Sequence, residues 1–141
     1  QFVCSVKDFT HRKNKRGDGF GALRVDLTAN HENPLKLVHG GLYAAMLDVA
    51  LAMTGSFRPA PEPLFPGLTL SLTTQFLAPA KVDERYLIAE AQRTGGGKSV
   101  FFAKGEVLTP SGRVIATASG VFKTCARFPT CVFALSIIFE L

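Results

Sequence analysis

The chain has 141 residues, enough for one domain with a substantial core, and its 47 % hydrophobic and 19 % charged content excludes a disordered segment. A formal net charge of +5, with a pI near 9.4, suits an anionic ligand. Cys4, Cys125 and Cys131 are an odd set without metal-ligand spacing, so free thiols in a reducing cytoplasmic setting, and no metal centre, are expected.

Residues 1–18 read as an irregular basic arm. Within it His11-Arg12-Lys13-Asn14-Lys15-Arg16 is a basic cluster, either a solvated face or a phosphate contact. No aromatic-interleaved or finger-type motif accompanies the cluster, which argues against nucleic acid. There is no apolar leader, arguing against a secretory signal, and the first residue is Gln rather than Met, which leaves room for residues before it. Phe20 to Thr28 alternates, Leu23, Val25 and Leu27 against Arg24, Asp26 and Thr28, as a half-buried strand does. Ala29 to Lys36 is a loop. Val38 to about Ser56 is predicted to be a helix with Leu42, Ala45, Met46, Val49, Ala50 and Met53 facing the core.

Arg58 to Pro66 carries four prolines and can be neither helix nor central strand. Four strand-like runs follow: Leu68 to Leu77, Arg85 to Arg93, Ser99 to Thr109 and Val114 to Lys123. Ala78-Pro79-Ala80, Gly95-Gly96-Gly97 and Pro110-Ser111-Gly112 separate them. Consecutive strands with short turns predict an antiparallel meander, and one helix on one curved sheet is an α+β two-layer domain. Residues 124–141 form an atypical apolar tail. Its longest run, Val132 to Phe139, is too short to span a bilayer, so no membrane partner is expected.

Val38 to Asp48, VHGGLYAAMLD, is the most informative segment. Gly40 and Gly41 place bare backbone N–H groups at a helix N-terminus, where an oxyanion can bind. Asp48 supplies a base or nucleophile two turns later. The two glycines would also simply permit close helix packing. Gly40 and Asp48 are eight residues apart, roughly 12 Å at the helical rise, whereas a reacting carbonyl must lie within about 3 Å of each. A joint role therefore needs Asp48 from a second copy of the chain, and predicts an obligate dimer with its site at the interface. Two motif look-alikes fail. Gln92 to Ser99 ends in Gly-Lys-Ser but has Gln where a phosphate-binding loop needs Gly, and Gly17 to Gly21 is followed by Ala22 and a strand rather than a helix.

The order of elements, with Asn33-Pro34, Val38-His39-Gly40-Gly41, Asp48, Gly67-Leu68-Thr69, Phe76-Leu77-Ala78-Pro79-Ala80, Gly97-Lys98-Ser99 and Ala116 to Phe122, resembles the hotdog fold. More narrowly it is similar to the phenylacetic-acid-degradation (PaaI-type) acyl-CoA thioesterases, over about residues 19–123. Asp48 stands nine residues after His39, and Asn33 six before it.

The resemblance implies an acyl-CoA thioesterase that yields a free acid and CoA, with no cofactor beyond the CoA of its substrate, and a homodimer or homotetramer. It implies that Gly40 N–H meets the thioester carbonyl, that Asp48 of the partner subunit attacks or activates water, and that Asn33 and Thr69 orient thioester or water. His39 would shape the helix-cap loop. Gly96, Gly97, Lys98 and Ser99 would meet the CoA nucleotide, Lys98 touching a phosphate. Gly41 and Tyr43 would lie along the substrate, although core packing also accounts for Tyr43 and Met46. Aryl-acyl and medium-chain acyl groups both remain open. The main rival is a non-catalytic acyl-CoA-binding hotdog module, which would not need Asp48; a hydratase of the same fold and a purely structural dimer are further alternatives.

Overall fold

The computed structural model describes residues 4–5, 19–55 and 67–124. Over these residues the chain forms β1 (Cys4–Ser5), β2 (Phe20–Asp26), α1 (Gly40–Met53), β3 (Gly67–Phe76), β4 (Tyr86–Gly96), β5 (Val100–Leu108) and β6 (Val114–Thr124). The two-residue alternation of the sequence persists in the strands. Leu23 and Val25 of β2, Leu87 and Ala89 of β4, Phe101 and Val107 of β5, and Ala116 and Phe122 of β6 are all buried. Their polar neighbours lie on the opposite face, where Arg24 bridges Asp26 at 2.7 Å. The strands make one antiparallel sheet in the order β1-β2-β4-β5-β6-β3, with α1 packed across its inner face. This is the α+β, helix-on-sheet architecture expected from the hotdog resemblance.

The expected meander holds only for β4, β5 and β6. β3 pairs with β6 at the far edge of the sheet, Thr69 opposite Phe122 and Phe76 opposite Ala116. Leu77 and Ala78 both donate their N–H to the Ile115 carbonyl, so the chain bends over the end of β6 instead of forming a hairpin with β4. Residues 77–85 then cross three strand spacings, about 14 Å, to reach β4. Ala78-Pro79-Ala80 thus opens a crossover, not a tight turn.

α1 starts at Gly40, two residues later than predicted, because His39 keeps an extended backbone (φ −63°, ψ 130°) and serves as its N-cap. It ends at Met53, where Thr54 Oγ1 donates to the Leu51 carbonyl; Ser56 lies outside the described residues. Its core face is Leu42, Tyr43, Met46, Leu47, Ala50 and Leu51. Ala45, placed in the core by the sequence reading, is exposed, and Val49 and Met53 are half-buried. The helix is apolar on nearly every side, so periodicity alone could not choose its inner face.

The basic arm, expected to be irregular, contributes β1, with Cys4 opposite Val25 and Ser5 opposite Arg24. The basic cluster 11–16, the proline-rich segment 58–66 and residues 125–141 lie outside the described residues.

The helix approaches the sheet most closely where β2 carries Gly21. A Cβ there would press on the Ala50 carbonyl oxygen and come 3.1 Å from Met53 Cβ. Gly21→Ala is therefore expected to lower stability by about 1–3 kcal/mol through overpacking. Urea denaturation should show an earlier midpoint with an unchanged slope; an unaltered midpoint would mean that α1 does not rest on β2 at this point.

Candidate active site

The first turn of α1 divides the work of its two glycines. His39 Nδ1 accepts the Gly41 N–H at 2.9 Å, and Leu42 N–H bonds to the His39 carbonyl at 2.9 Å. A Cβ on Gly41 would sit 2.9 Å from His39 Nδ1, so this cap requires glycine. The Gly41 amide, expected to meet substrate, is thus taken by His39. Gly40 N–H donates to no described residue and points from the positive end of a 14-residue helix.

Gly40 opens on a cleft of about 290 Å³ lined by Asn33, Leu37, Tyr43, Phe76 and Pro79 among others. Asn33 Oδ1 accepts the N–H groups of Leu35 (2.9 Å) and Leu37 (3.1 Å), which folds the loop before the helix. Two donors on that atom leave the Nδ2 group as the free end of the amide. Tyr43 is buried, and its hydroxyl accepts the Ala80 N–H at 3.2 Å. Burial raises its pKa above 10.0, partly offset by the Ala80 bond and the Arg113 charge. Arg113 braces the crossover from the other side, donating to the Pro79 carbonyl and to Glu84 Oε1, both at 3.1 Å.

Asp48 lies two turns further on, half-buried on the flank of α1 beside β3. Thr69 Oγ1 donates to its Oδ1 at 2.6 Å. Thr69 shares a row of the sheet with Phe122, Phe101 and Gly96. The β4–β5 turn is therefore at the Asp48 end of the molecule. Gly96 takes φ +114°, Gly97 N–H closes the turn on the Val100 carbonyl, and Lys98 and Ser99 are exposed at its tip. Arg93 fastens this turn through the carbonyls of Gly95 (3.3 Å) and Gly97 (3.0 Å).

One protomer thus holds two separate groups. Asn33, Gly40 and Tyr43 meet at one end of the helix, with His39 capping it. Asp48, Thr69 and the 96–99 turn gather toward the other. The sequence reading assigned no role to Phe76, Arg93 or Arg113. Arg93 could have been suspected from its place before a triple-glycine turn, whereas Arg113 acts across 34 positions and gives no local signal.

The sequence pattern of the Thioesterase superfamily matches residues 35–116, more than half of the chain. The protein belongs to the thioesterase superfamily. It is a hotdog-fold thioester hydrolase, in keeping with the resemblance drawn from the sequence. No curated protein matches it significantly. Among solved structures, it is similar to the BH2602 protein of Bacillus halodurans, crystallised with CoA (29 % identity, 73 % of this chain and 70 % of that one, TM-score 0.63). It is also similar to the E. coli PaaI protein of the phenylacetic acid degradation operon (21 %, 77 % and 75 %, TM-score 0.64). A third similar structure is thioesterase HI1161 of Haemophilus influenzae (14 %, 77 % and 73 %, TM-score 0.64). Among the described residues of this thioesterase, no three His, Cys, Asp or Glu side chains converge as metal ligands, and no helix is long and apolar enough to cross a membrane.

The loop that carries Asn33 begins at His31, whose Nδ1 accepts the Thr28 N–H at 2.9 Å. Burial lowers the His31 pKa below 6.5. The folded chain therefore resists a proton that the unfolded chain accepts, and stability present above pH 6.5 is lost as pH falls through the folded value. Thermal melts of the wild type should decline with acidification below that pH, and His31→Gln should flatten the decline. Parallel slopes for the two proteins would place the acid sensitivity elsewhere.

Proposed function

We propose that this thioesterase hydrolyses acyl-CoA, with an aryl-acyl or medium-chain acyl group, at a site built from two copies of the chain. The observation that carries the reading is the Gly40 N–H, without a partner among the described residues, opening on an apolar cleft. A thioester carbonyl oxygen seated there gains charge in the transition state, and the helix N-terminus stabilises that charge without reorganising. The free end of the Asn33 amide stands on the same cleft to orient the ester.

The base comes from the other copy. β3 has β6 as its one sheet neighbour among the described residues, and its open edge exposes Leu68 and Leu70. Gly40 packs on Phe76 and Asp48 bonds to Thr69, seven residues apart on this strand. Antiparallel pairing of two β3 edges would set the Thr69 end of one copy beside the Phe76 end of the other. Asp48 of the partner subunit then faces the carbonyl carbon held at Gly40. Thr69 occupies Oδ1, which leaves Oδ2 to take a proton from water while the water oxygen bonds to that carbon. The tetrahedral adduct expels the CoA thiolate, which receives the proton. Direct attack by Oδ2, through an acyl-aspartate anhydride that water then cleaves, uses the same geometry.

The nucleotide end of CoA would lie on the 96–99 turn, with the Lys98 ammonium on a phosphate. CoA in the crystal of the Bacillus halodurans relative supports this carrier. Every group the chemistry calls on is a backbone amide, a side-chain amide, a hydroxyl, a carboxylate or water, so we assign no cofactor. We place the enzyme in the reducing cytoplasm as a dimer, or as a tetramer of two dimers.

Two disabled variants test the shared site. Asp48→Asn should lose about 10²–10⁴-fold in thiol release from acyl-CoA esters, as removal of a general base does. Gly40→Ala should also be impaired, because its methyl would come 3.3 Å from the Phe76 ring. Co-refolded in equal amounts, they should recover about a quarter of wild-type activity, since half of the dimers then carry one intact site. Recovery of nothing would overturn a site shared between subunits. Wild type that binds acyl-CoA without releasing thiol would favour the non-catalytic binding module.

A further inference from the structure

We propose that Phe76 sets the upper size of the acyl group. The proposal rests on the reading that the thioester carbonyl sits at Gly40, and deepens it by naming the wall that limits the substrate. The three heavy atoms nearest to the missing Cβ of Gly40 all belong to the Phe76 ring, at 3.3 Å for Cε1 and 3.7 Å for Cδ1 and Cζ. The ring therefore lies against the residue whose amide has no partner among the described residues. It also leans on Tyr43, with centroids 6.3 Å apart and planes tilted by 42°. An acyl chain leaving a carbonyl held at Gly40 must pass this ring.

Leu77, 58 % exposed, lines the same cleft, while the remaining walls are tied chiefly through their backbone. Tyr43 is buried and tied to Ala80, the Leu37 N–H is held by Asn33, the Ala78 N–H is tied to Ile115, and the Pro79 carbonyl is held by Arg113. Phe76 is a large side chain at the end of an edge strand, 59 % exposed and absent from the core. Its ring borders the cleft beside Gly40, and trimming it gives up one contact with the core, that with the Tyr43 ring.

The test uses the full-length protein as wild type, Phe76→Ala and Phe76→Leu. Binding is read by calorimetry on non-hydrolysable thioether analogues of acyl-CoA, graded from acetyl to dodecanoyl and including a phenylacetyl analogue. Thiol release is read on the matching esters, and light scattering checks that each variant keeps its mass; Phe76→Leu retains apolar bulk should Phe76→Ala disturb assembly. The expected result is a shift of preference toward larger acyl groups. The long-over-short ratio should rise by about tenfold or more in Phe76→Ala, with Phe76→Leu between, the scale on which a pocket discriminates one methylene or more. Size profiles of both variants that superimpose on wild type would overturn the proposal. A shifted binding profile with no thiol release in any protein would support Phe76 as the size determinant and overturn hydrolysis. Wild type that binds none of the analogues would overturn both.

Discussion

The bond from Gly41 N–H to His39 Nδ1 organises the site. It ends the helix at Gly40 instead of Val38, and it satisfies one of the orphan amides that every helix start presents. Because that bond takes Gly41, Gly40 is left as the amide of this glycine pair without a partner among the described residues. The paired glycines thus have different reasons to be glycine. Gly41 must leave room for the imidazole, whereas a Cβ on Gly40 would come 3.3 Å from the exposed Phe76 ring. Histidine suits the cap because Nδ1 can accept the Gly41 N–H across the first turn.

A second constraint is the register of β3. Pairing with β6 fixes Thr69 and Phe76 on the inner face at opposite ends of one open edge, and α1 runs alongside so that Asp48 meets the first and Gly40 the second. The two groups of residues are therefore separated along one edge strand. An α1 that is apolar around most of its circumference belongs to the same design. Leu42, Tyr43, Met46, Leu47, Ala50 and Leu51 use up the sheet, while Ala45 is exposed and Val49, Ala52 and Met53 are half-buried.

What the sequence made legible follows from how local each signal is. Strand alternation in β2, the glycine pair before an apolar run, and the polar-turn punctuation between later strands are all short-range, and each marked its element. The inner face of α1 was misjudged at Ala45, because an all-apolar helix carries no period to read. The meander was misjudged because strand order is a long-range property: β3 and β6 are joined by pairing across some fifty positions, and no residue near Ala78 announces it. Thr69 was singled out as a residue that orients water, and its bond to Asp48 became visible only with the register in hand.

That crossover, illegible in the sequence, is also what makes a cleft possible. A hairpin between β3 and β4 would have folded residues 77–85 into a turn at the sheet edge. Passing instead over the ends of β6 and β5, they lay Ala78 and Pro79 opposite the helix start, and place Ala80 where its N–H reaches Tyr43. A crossing segment has few ladder partners, so its backbone groups must be satisfied individually. Tyr43 takes one, Ile115 takes two, Val38 donates to the Ala80 carbonyl, and Arg113 secures the Pro79 carbonyl together with Glu84. These bonds satisfy the crossing segment's backbone groups one by one. The side chains of Phe76 and Leu77, at the end of the edge strand, are the large hydrophobic groups of the cleft lining that remain exposed.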